Sequence, residues 1–193
     1  MKKKIAILGS TGSIGKDLVD IISKDKKNFE VVLLTTNQNT KTLLKQAKYL
    51  KAKNIIVTDK KEYLLIKNKI KKVNIFSNFN QFDKIFKSKV DYIMSAISGI
   101  DGLEPTFRSI KHTKKIAIAN KESIICAWNI LSKELKKNKT KFIPVDSEHF
   151  SIWSVLKNIH NKNIDQIFIT ASGGPFYKLP LSKFSQIKVK DAI

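Results

Sequence analysis

The chain has 193 residues, of which 42% are hydrophobic and only four are proline, so it can bury the core of one full domain and part of another. Its formal net charge is +21, but Arg108 is the only arginine, and scattered lysine favours a solvated surface over specific nucleic-acid recognition. The single cysteine, Cys126, excludes an internal disulfide and a cysteine zinc cage, and its apolar neighbours predict a small core residue.

The first predicted element is an apolar strand at 5–8, followed by a glycine turn and an amphipathic helix through Leu18 and Ile22. This apolar run is too short for a signal peptide or a membrane span, so we expect a cytoplasmic protein without a membrane partner. The turn reads Gly9-Ser10-Thr11-Gly12-Ser13-Ile14-Gly15, and glycines at this spacing let backbone amides approach a diphosphate at a helix N-terminus. A glycine-rich turn without a ligand is the alternative, because the spacing departs from the stricter dinucleotide pattern.

A second buried strand, predicted at 31–34, leads into a neutral polar loop at 36–40. In dinucleotide-binding folds an acidic side chain in this place hydrogen-bonds the ribose hydroxyls of NAD. The loop contains no acid and Lys41 follows it, so the sequence favours NADP, whose 2′-phosphate a carboxylate would repel. Thr40 would also suit a helix cap, and the two interpretations are compatible.

Strands and helices then alternate with short connections. Strands are predicted at 54–57, 73–76, 92–96 and 116–119, and helices at 43–50, 62–70, 82–86 and 103–110. This alternation predicts an α/β fold, namely a Rossmann-type, doubly wound, mostly parallel sheet. Ligands of such sheets bind beyond the carboxyl ends of the strands, so the loops at 9–15, 96–102 and 120–123 should face one crevice.

Two polar stretches follow predicted strands near that crevice. Asn120 and Glu122 either begin a helix or contact a cofactor, with Lys121 facing an anionic substrate, and spacing alone does not separate these possibilities. On an extended backbone Asp146 and Glu148 would share one face and could hold a hard divalent cation. The simpler interpretation is that Asp146 or Ser147 caps the helix that follows.

A further strand is predicted at 167–170, and it leads into Ser172-Gly173-Gly174-Pro175-Phe176. Glycines before proline commonly turn the chain, but they also expose Ser172 and successive amides to a phosphate or a substrate oxygen. We expect residues 177–193 to have no core of their own.

Four motifs occur in a specific order along the chain. They are Gly-Ser-Thr-Gly-Ser-Ile-Gly at 9–15, Ala-Asn-Lys-Glu-Ser at 119–123, Pro-Val-Asp-Ser-Glu-His at 144–149 and Ser-Gly-Gly-Pro-Phe at 172–176. Together they closely resemble the 1-deoxy-D-xylulose 5-phosphate reductoisomerase family of non-mevalonate isoprenoid biosynthesis, across essentially the whole chain. The resemblance implies an NADPH-dependent enzyme that uses Mg²⁺ or Mn²⁺ to convert 1-deoxy-D-xylulose 5-phosphate to 2-C-methyl-D-erythritol 4-phosphate.

Matched by position, the resemblance also implies roles for individual residues. The implied NADPH contacts are Thr11, Gly12, Ser13, Ile14, Asn39, Asn120 and Glu122. The implied substrate contacts are Lys121, Ser147, Glu148 and Ser172, and of these Lys121 and Glu148 are also implied to be catalytic. Asp146 and Glu148 would hold the metal, which reverses the preference for capping. Asn37 and Gln38 depart from the family, which usually shows a glycine and a basic residue in this loop.

The resemblance finally predicts how the chain is organised. Family members continue well beyond residue 193, through a mobile flap, a third metal-binding carboxylate and the site that grips the substrate phosphate. We therefore expect a fragment that is inactive alone, with an NADPH-binding domain at 1–146 and the start of an α+β catalytic domain at 147–193. The full-length protein is expected to be a homodimer that acts on a small sugar phosphate. The alternatives are another NADP-dependent dehydrogenase and a basic nucleic-acid-binding protein.

Overall fold

A seven-stranded sheet is the framework of residues 1–153 in the structure, a computed structural model that describes residues 1–67, 72–160, 163–169 and 174–192. All strand pairs are parallel, and the spatial order is β4-β3-β2-β1-β5-β6-β7. In chain order the strands are β1 (Lys3–Leu8), β2 (Phe29–Thr36), β3 (Asn54–Val57), β4 (Asn74–Phe76), β5 (Tyr92–Ser95), β6 (Lys115–Ile118) and β7 (Lys141–Pro144). The predicted doubly wound α/β sheet is confirmed.

Helices cover both faces of this sheet, which explains why the strands are apolar at consecutive positions. Ile7 packs with the residues of α1 and α2 on one face, whereas Leu8 packs with those of α4 and α6 on the other, and both are fully buried. The helices that connect the strands are α1 (Ser13–Lys24), α2 (Thr40–Leu50), α3 (Lys60–Lys67), α4 (Phe82–Ile85), α5 (Leu103–Ser109) and α6 (Lys121–Lys137). None of the helices in the described part of the chain is both long and apolar enough to cross a membrane.

The strand order reverses direction between β1 and β5, which is the topological switch point of the sheet. Leu8 at the end of β1 is in register with Ser95 at the end of β5. Gly9 follows with a φ of +80°, and a Cβ there would lie 2.7 Å from the carbonyl oxygen of Ala96. The loops after β1 and β5 therefore leave the sheet side by side, and only glycine fits at position 9.

The chain forms two compact units, Met1–Trp153 and Ser154–Ile193. The helix α7 (Ser147–Leu156) follows β7, and further along lie two short 3₁₀ turns, Gly174–Phe176 and Leu181–Gln186, and the helix α8 (Val189–Ala192). None of residues 177–191 is buried, which confirms the absence of a core over that range.

Three sequence predictions need correction or restriction. The helix predicted at 62–70 is α3, and residues 68–71 lie outside the described residues. The strand predicted at 167–170 is wrong at 167–169, which have no regular structure, while Thr170 lies outside the described residues. A strand needs a hydrogen-bonded neighbour, and the described residues of Ser154–Ile193 include no other strand. Cys126 is exposed and not a core residue, because it is one position away from Ala127, which with Leu131 forms the buried side of α6.

Candidate active site

The N-terminus of α1 is open at the switch point. Gly12 is its N-cap residue, no side chain among the described residues caps it, and its first turn contains no acid. The amides of Ser13 and Ile14 begin the helix and therefore have no intrahelical acceptor. Exposed amides and the positive end of the helix dipole together suit a bound anion.

Buried and partly buried hydrogen bonds hold the glycine loop to β2 and α2. The amide of Gly9 donates to Thr35 Oγ1 at 2.8 Å, and the hydroxyls of Thr11 and Thr36 lie 2.6 Å apart. Gln46 of α2 accepts from the Ser10 hydroxyl at 2.8 Å and donates to the Ser10 carbonyl at 2.8 Å. These contacts fix the loop before any ligand arrives.

Gly15 explains how α1 approaches the loop so closely. A Cβ at this position would collide with the carbonyl oxygen of Gly9 and would lie 2.7 Å from Ser10 Cα. Because both neighbours are backbone atoms, they cannot rotate away as a side chain could. Gly15 therefore has a packing role, whereas Gly12 lies at the open mouth of the site.

A cleft of about 480 Å³ extends from the glycine loop across the ends of β2 and β3. Its lining includes the predicted Thr11 and Gly12, together with Gly9, Thr35, Thr36, Asn37, Thr58, Phe79, Ala96, Ile97, Ser98 and Asp101. Thr58 and Phe79 were missed by the sequence analysis, although both come shortly after the carboxyl ends of strands. That position alone could have identified them.

The loop after β2 is arranged differently from the prediction. Asn39, not Thr40, caps α2, since Asn39 Oδ1 accepts from the amide of Thr42 at 3.1 Å. Thr40 instead lies in the first helical turn, and its hydroxyl donates to Glu62 Oε2 at 2.7 Å. Neither Asn39 nor Ser13 is part of the lining of the cleft.

A second cleft of about 330 Å³ shares Ala96, Ile97 and Ser98 with the first. Its other lining residues come from the ends of β1, β5, β6 and β7 and are Ile14, Gly99, Ala119, Asn120, Lys121, Glu122, Asp146, Ser147 and Glu148. The prediction that three loops face one crevice is therefore confirmed. Seven of the predicted site residues line this second cleft, and Ser172 lies outside the described residues.

Asn120 holds two sides of the second cleft together. It is 3% exposed, and its Oδ1 caps α6 by accepting from the amide of Ser123 at 2.6 Å. Its Nδ2 donates to the carbonyls of Ile97 and Gly99, the latter at 2.5 Å. The helix-start interpretation of this stretch is thus confirmed, while a contact between Asn120 and a cofactor stays a prediction.

Asp146 is the N-cap residue of α7, so the extended geometry considered for the acidic pair does not occur. Its Oδ1 accepts from the backbone amide of His149 at 3.0 Å and lies 2.6 Å from the imidazole Nδ1 of the same residue. Burial opposes ionisation of Asp146, but these bonds outweigh it and hold the pKa of the carboxyl below its usual value. Oδ2 is buried and has no hydrogen-bond partner among the described residues.

Glu148 is exposed on the wall of the same cleft. Its own amide, the Ser147 hydroxyl at 2.9 Å and the nearby charge of Lys121 lower the pKa of its carboxyl. Both acids are therefore ionised at neutral pH. The unpartnered Asp146 Oδ2 and the exposed Glu148 fit two ligands of a hard divalent cation. Within the described ranges no group of three or more His, Cys, Asp or Glu side chains is placed to hold a metal, so this pair would supply part of a coordination shell.

Comparisons with known proteins agree with this arrangement. The family profile named 1-deoxy-D-xylulose 5-phosphate reductoisomerase matches residues 5–128, and the profile of the C-terminal domain of that enzyme matches residues 142–193. The reductoisomerase of Pelagibacter ubique is 58% identical over 99% of this chain, and that of Wolbachia pipientis from Culex pipiens is 40% identical over 99%. The chain spans about half the length of the curated relatives it matches, 50% and 49% for these two.

Solved structures give the same result. The Zymomonas mobilis reductoisomerase in complex with NADPH superposes with a TM-score of 0.84 at 31% identity, over 100% of this chain and 52% of its own. A reductoisomerase in complex with NADPH, fosmidomycin and magnesium superposes with a TM-score of 0.79 at 28% identity, over 99% of this chain and 50% of its own. Profile, sequence and structure thus agree, and the chain belongs to the 1-deoxy-D-xylulose 5-phosphate reductoisomerase family.

Proposed function

We propose that the full-length protein converts 1-deoxy-D-xylulose 5-phosphate to 2-C-methyl-D-erythritol 4-phosphate with NADPH and Mg²⁺ or Mn²⁺. One observation carries the proposal: the anion site at α1 and the Asp146–Glu148 pair open onto two clefts that share a wall. A dinucleotide lying across the switch point would span both clefts. The ligands named in the solved structures of relatives, NADPH and magnesium, support this assignment.

NADPH would lie with its diphosphate on the amides of Ser13 and Ile14. Its adenosine half would occupy the first cleft, near β2, and its nicotinamide half would occupy the second, near β6. When bound, it supplies the hydride for the reduction. The proposed contacts are Thr11, Gly12, Ser13, Ile14, Asn39, Asn120 and Glu122.

Asp146 and Glu148 would hold the divalent ion, which supplies Lewis acidity at the substrate oxygens. His149 orients Asp146 through two hydrogen bonds to Oδ1, and the buried Oδ2 has no hydrogen-bond partner among the described residues. Lys121 lies near Glu148 and would attract the anionic substrate. Ser147, Glu148 and Ser172 are the other proposed substrate contacts.

The proposal extends to the organisation of the protein. Residues 1–146 would form the NADPH-binding domain, and residues 147–193 would begin the catalytic domain. Activity is proposed for the full-length protein, and the 193 residues alone are expected to be inactive. A homodimer and a cytoplasmic location stay predictions.

The test is an assay of NADPH oxidation by the protein expressed from its whole coding region. We expect consumption of NADPH that requires both 1-deoxy-D-xylulose 5-phosphate and Mg²⁺, with a loss of about 100-fold or more in Asp146→Asn and Glu148→Gln. The matched control is Asp20→Asn, which removes the same charge from an exposed position of α1 and should leave turnover unchanged. Full activity in both site variants would remove the metal assignment. Oxidation of NADPH by a simple aldehyde without metal would favour another dehydrogenase.

A further inference from the structure

We propose that the amino edge of the sheet, where the seven strands begin, adsorbs to an anionic lipid surface. This edge lies opposite the candidate active site, which is at the carboxyl ends of the strands. The proposal is independent of the proposed function, because it concerns neither NADPH nor the substrate. The prediction of no membrane partner rested on the lack of a spanning segment, and adsorption to a lipid surface requires none.

Lysines that are scattered along the sequence meet at the amino edge. All seven strands are parallel, so their first residues lie along the same edge. Lys3, Lys115 and Lys141 are the first residues of β1, β6 and β7, and all three are exposed. Each of the other four strands has an exposed lysine within three residues before its first residue. At the carboxyl edge, by contrast, two of the seven strands have a lysine within three residues after their last residue.

Acidic side chains neutralise part of this positive charge. Glu30 pairs with Lys53 at 2.7 Å, and Asp91 pairs with Lys114 at 2.8 Å. Asp25, which follows α1, instead accepts hydrogen bonds from a neighbouring asparagine. The acids of the amino edge are therefore already engaged, and an excess of lysine remains.

Lys115 and Lys141 lie side by side in this excess. They are in register at the start of β6 and β7, and neither has an ion pair within the described ranges. Like charges on neighbouring strands destabilise a sheet. The helix dipole favours lysine in the last turn of a helix, but this effect does not reach the first residue of a strand. The fold therefore gives no reason for this pair, whereas an anionic surface would stabilise it.

Exposed apolar side chains lie among these lysines. Ile21, in the last turn of α1, is 61% exposed, and Tyr49, in the last turn of α2, is 58% exposed. They line two grooves of about 350 and 380 Å³ that share Ile22 and Phe29. Lys26 Nζ lies 3.1 Å from the centre of the Tyr49 ring. Ammonium groups and exposed apolar side chains on one surface are the combination that binds anionic lipid.

The same features favour lipid over nucleic acid. A phosphate backbone would attract the lysines but would gain nothing from Ile21. Arg108, the single arginine, is engaged by Glu104 at 2.7 Å, so it is not available to recognise a base. An anionic bilayer would instead bind the lysines at its headgroups and Ile21 among the adjoining acyl chains.

The experiment is cosedimentation of the protein expressed from its whole coding region with phosphatidylcholine vesicles, either pure or containing about 30% phosphatidylglycerol. We expect binding to the anionic vesicles alone, with a decrease of about tenfold or more as salt rises from about 0.1 to 0.5 M. The double variant Lys115→Gln and Lys141→Gln should bind about 25-fold more weakly, at about fivefold per lysine. The matched control, Lys60→Gln with Lys61→Gln, removes the same charge from exposed positions at the start of α3 and should change binding less than about twofold.

A second pair of variants tests the apolar contribution. Ile21→Ser should weaken binding to the anionic vesicles about fivefold, because it removes the side chain that enters the bilayer. Leu64→Ser removes a similarly exposed side chain, 59% exposed, from α3 and should leave binding unchanged. Circular dichroism establishes that each variant is folded before its binding is compared.

Three results would overturn the inference. They are no binding to the anionic vesicles at about 0.1 M salt, equal losses in the two double lysine variants, and unchanged binding in Ile21→Ser. Single-stranded DNA of about 30 nucleotides that displaces the vesicles, with an affinity unaffected by Ile21→Ser, would assign the edge to nucleic acid instead. None of these measurements depends on oxidation of NADPH, so a failure here is distinguishable from a failure of the proposed function.

Discussion

Gly12, the N-cap residue of α1, and Gly15, within the first turn of α1, should respond differently to substitution by alanine. A Cβ on Gly12 would have only the carbonyl oxygens of Gly9 and Ala96 within 4 Å, at 3.4 and 3.9 Å. These are ordinary contacts, and the new methyl would project at the mouth of the anion site. A Cβ on Gly15 would instead meet the backbone of Gly9 and Ser10, with Ser10 Cα at 2.7 Å. We therefore predict that Gly12→Ala impairs binding and Gly15→Ala impairs folding.

The expected magnitudes follow from these contacts. Gly12→Ala weakens an N-cap but restricts the unfolded chain, and the two effects leave a change of less than about 1 kcal/mol in the free energy of unfolding. Its methyl should cost one charge-assisted hydrogen bond to the diphosphate, or about 10- to 150-fold in the Kd for NADPH. Gly15→Ala should cost about 1–3 kcal/mol through overpacking, which lowers Tm by about 2–12 °C in a chain of this size.

Thermal unfolding by circular dichroism and NADPH titration by nicotinamide fluorescence measure both quantities in the same two variants. The pattern expected is a nearly unchanged Tm with weak binding for Gly12→Ala, and a lowered Tm for Gly15→Ala. Wild-type affinity for NADPH in a folded Gly12→Ala variant would refute the assignment of the α1 N-terminus as the diphosphate site. An unchanged Tm in Gly15→Ala would refute the packing argument.

Two further predictions concern stability. Asn120→Asp keeps an N-cap acceptor for α6 but replaces the Nδ2 donor with an anionic oxygen that faces two carbonyls. We therefore expect the free energy of unfolding, measured with urea, to fall by about 2–3 kcal/mol. A decrease of less than about 0.5 kcal/mol would contradict the role of Asn120. His112 packs against Phe82 and Phe86, its Nε2 has no hydrogen bond among the described residues, and burial lowers the pKa of its imidazole. In the unfolded chain the His112 imidazole is protonated near pH 6.5, whereas in the folded chain it stays neutral to a lower pH. Protonation therefore favours the unfolded chain, and Tm should fall as the pH drops from about 7 toward 5. His112→Phe should flatten this dependence, and a slope equal to that of the wild type would contradict the explanation.

Much of the fold was predictable because the relevant information is local. Helices on both faces force apolar side chains at consecutive strand positions, as in Ala6-Ile7-Leu8, and this pattern is visible in the sequence. Which side of a helix is buried is harder to predict when several consecutive residues are all apolar. Cys126 and Ala127 have similar surroundings along the chain, yet one is exposed and the other buried.

The candidate site was predictable as a set of loops but not as a set of contacts. The alternation of strands and helices placed Gly12 and Asp146 at the same edge of the sheet. It could not show that Asn120 joins two loops through Ile97, because that bond depends on a distance between segments far apart in the chain. The hydrogen bond from Gln38 Nε2, in the loop after β2, to Asp59 Oδ2, in the turn after β3, likewise depends on the register of β3 beside β2, which no local pattern specifies.

We propose that one crevice holds the nicotinamide half of NADPH next to a divalent ion on Asp146 and Glu148. Proton NMR of NADPH bound to the protein expressed from its whole coding region, recorded during titration with Mn²⁺, measures which half of the cofactor lies near the ion. We predict that Mn²⁺ broadens the nicotinamide signals more strongly than the adenine signals, and that Asp146→Asn abolishes the difference while Asp20→Asn preserves it. Equal broadening at both ends of the cofactor, or a difference that persists in Asp146→Asn, would contradict the account.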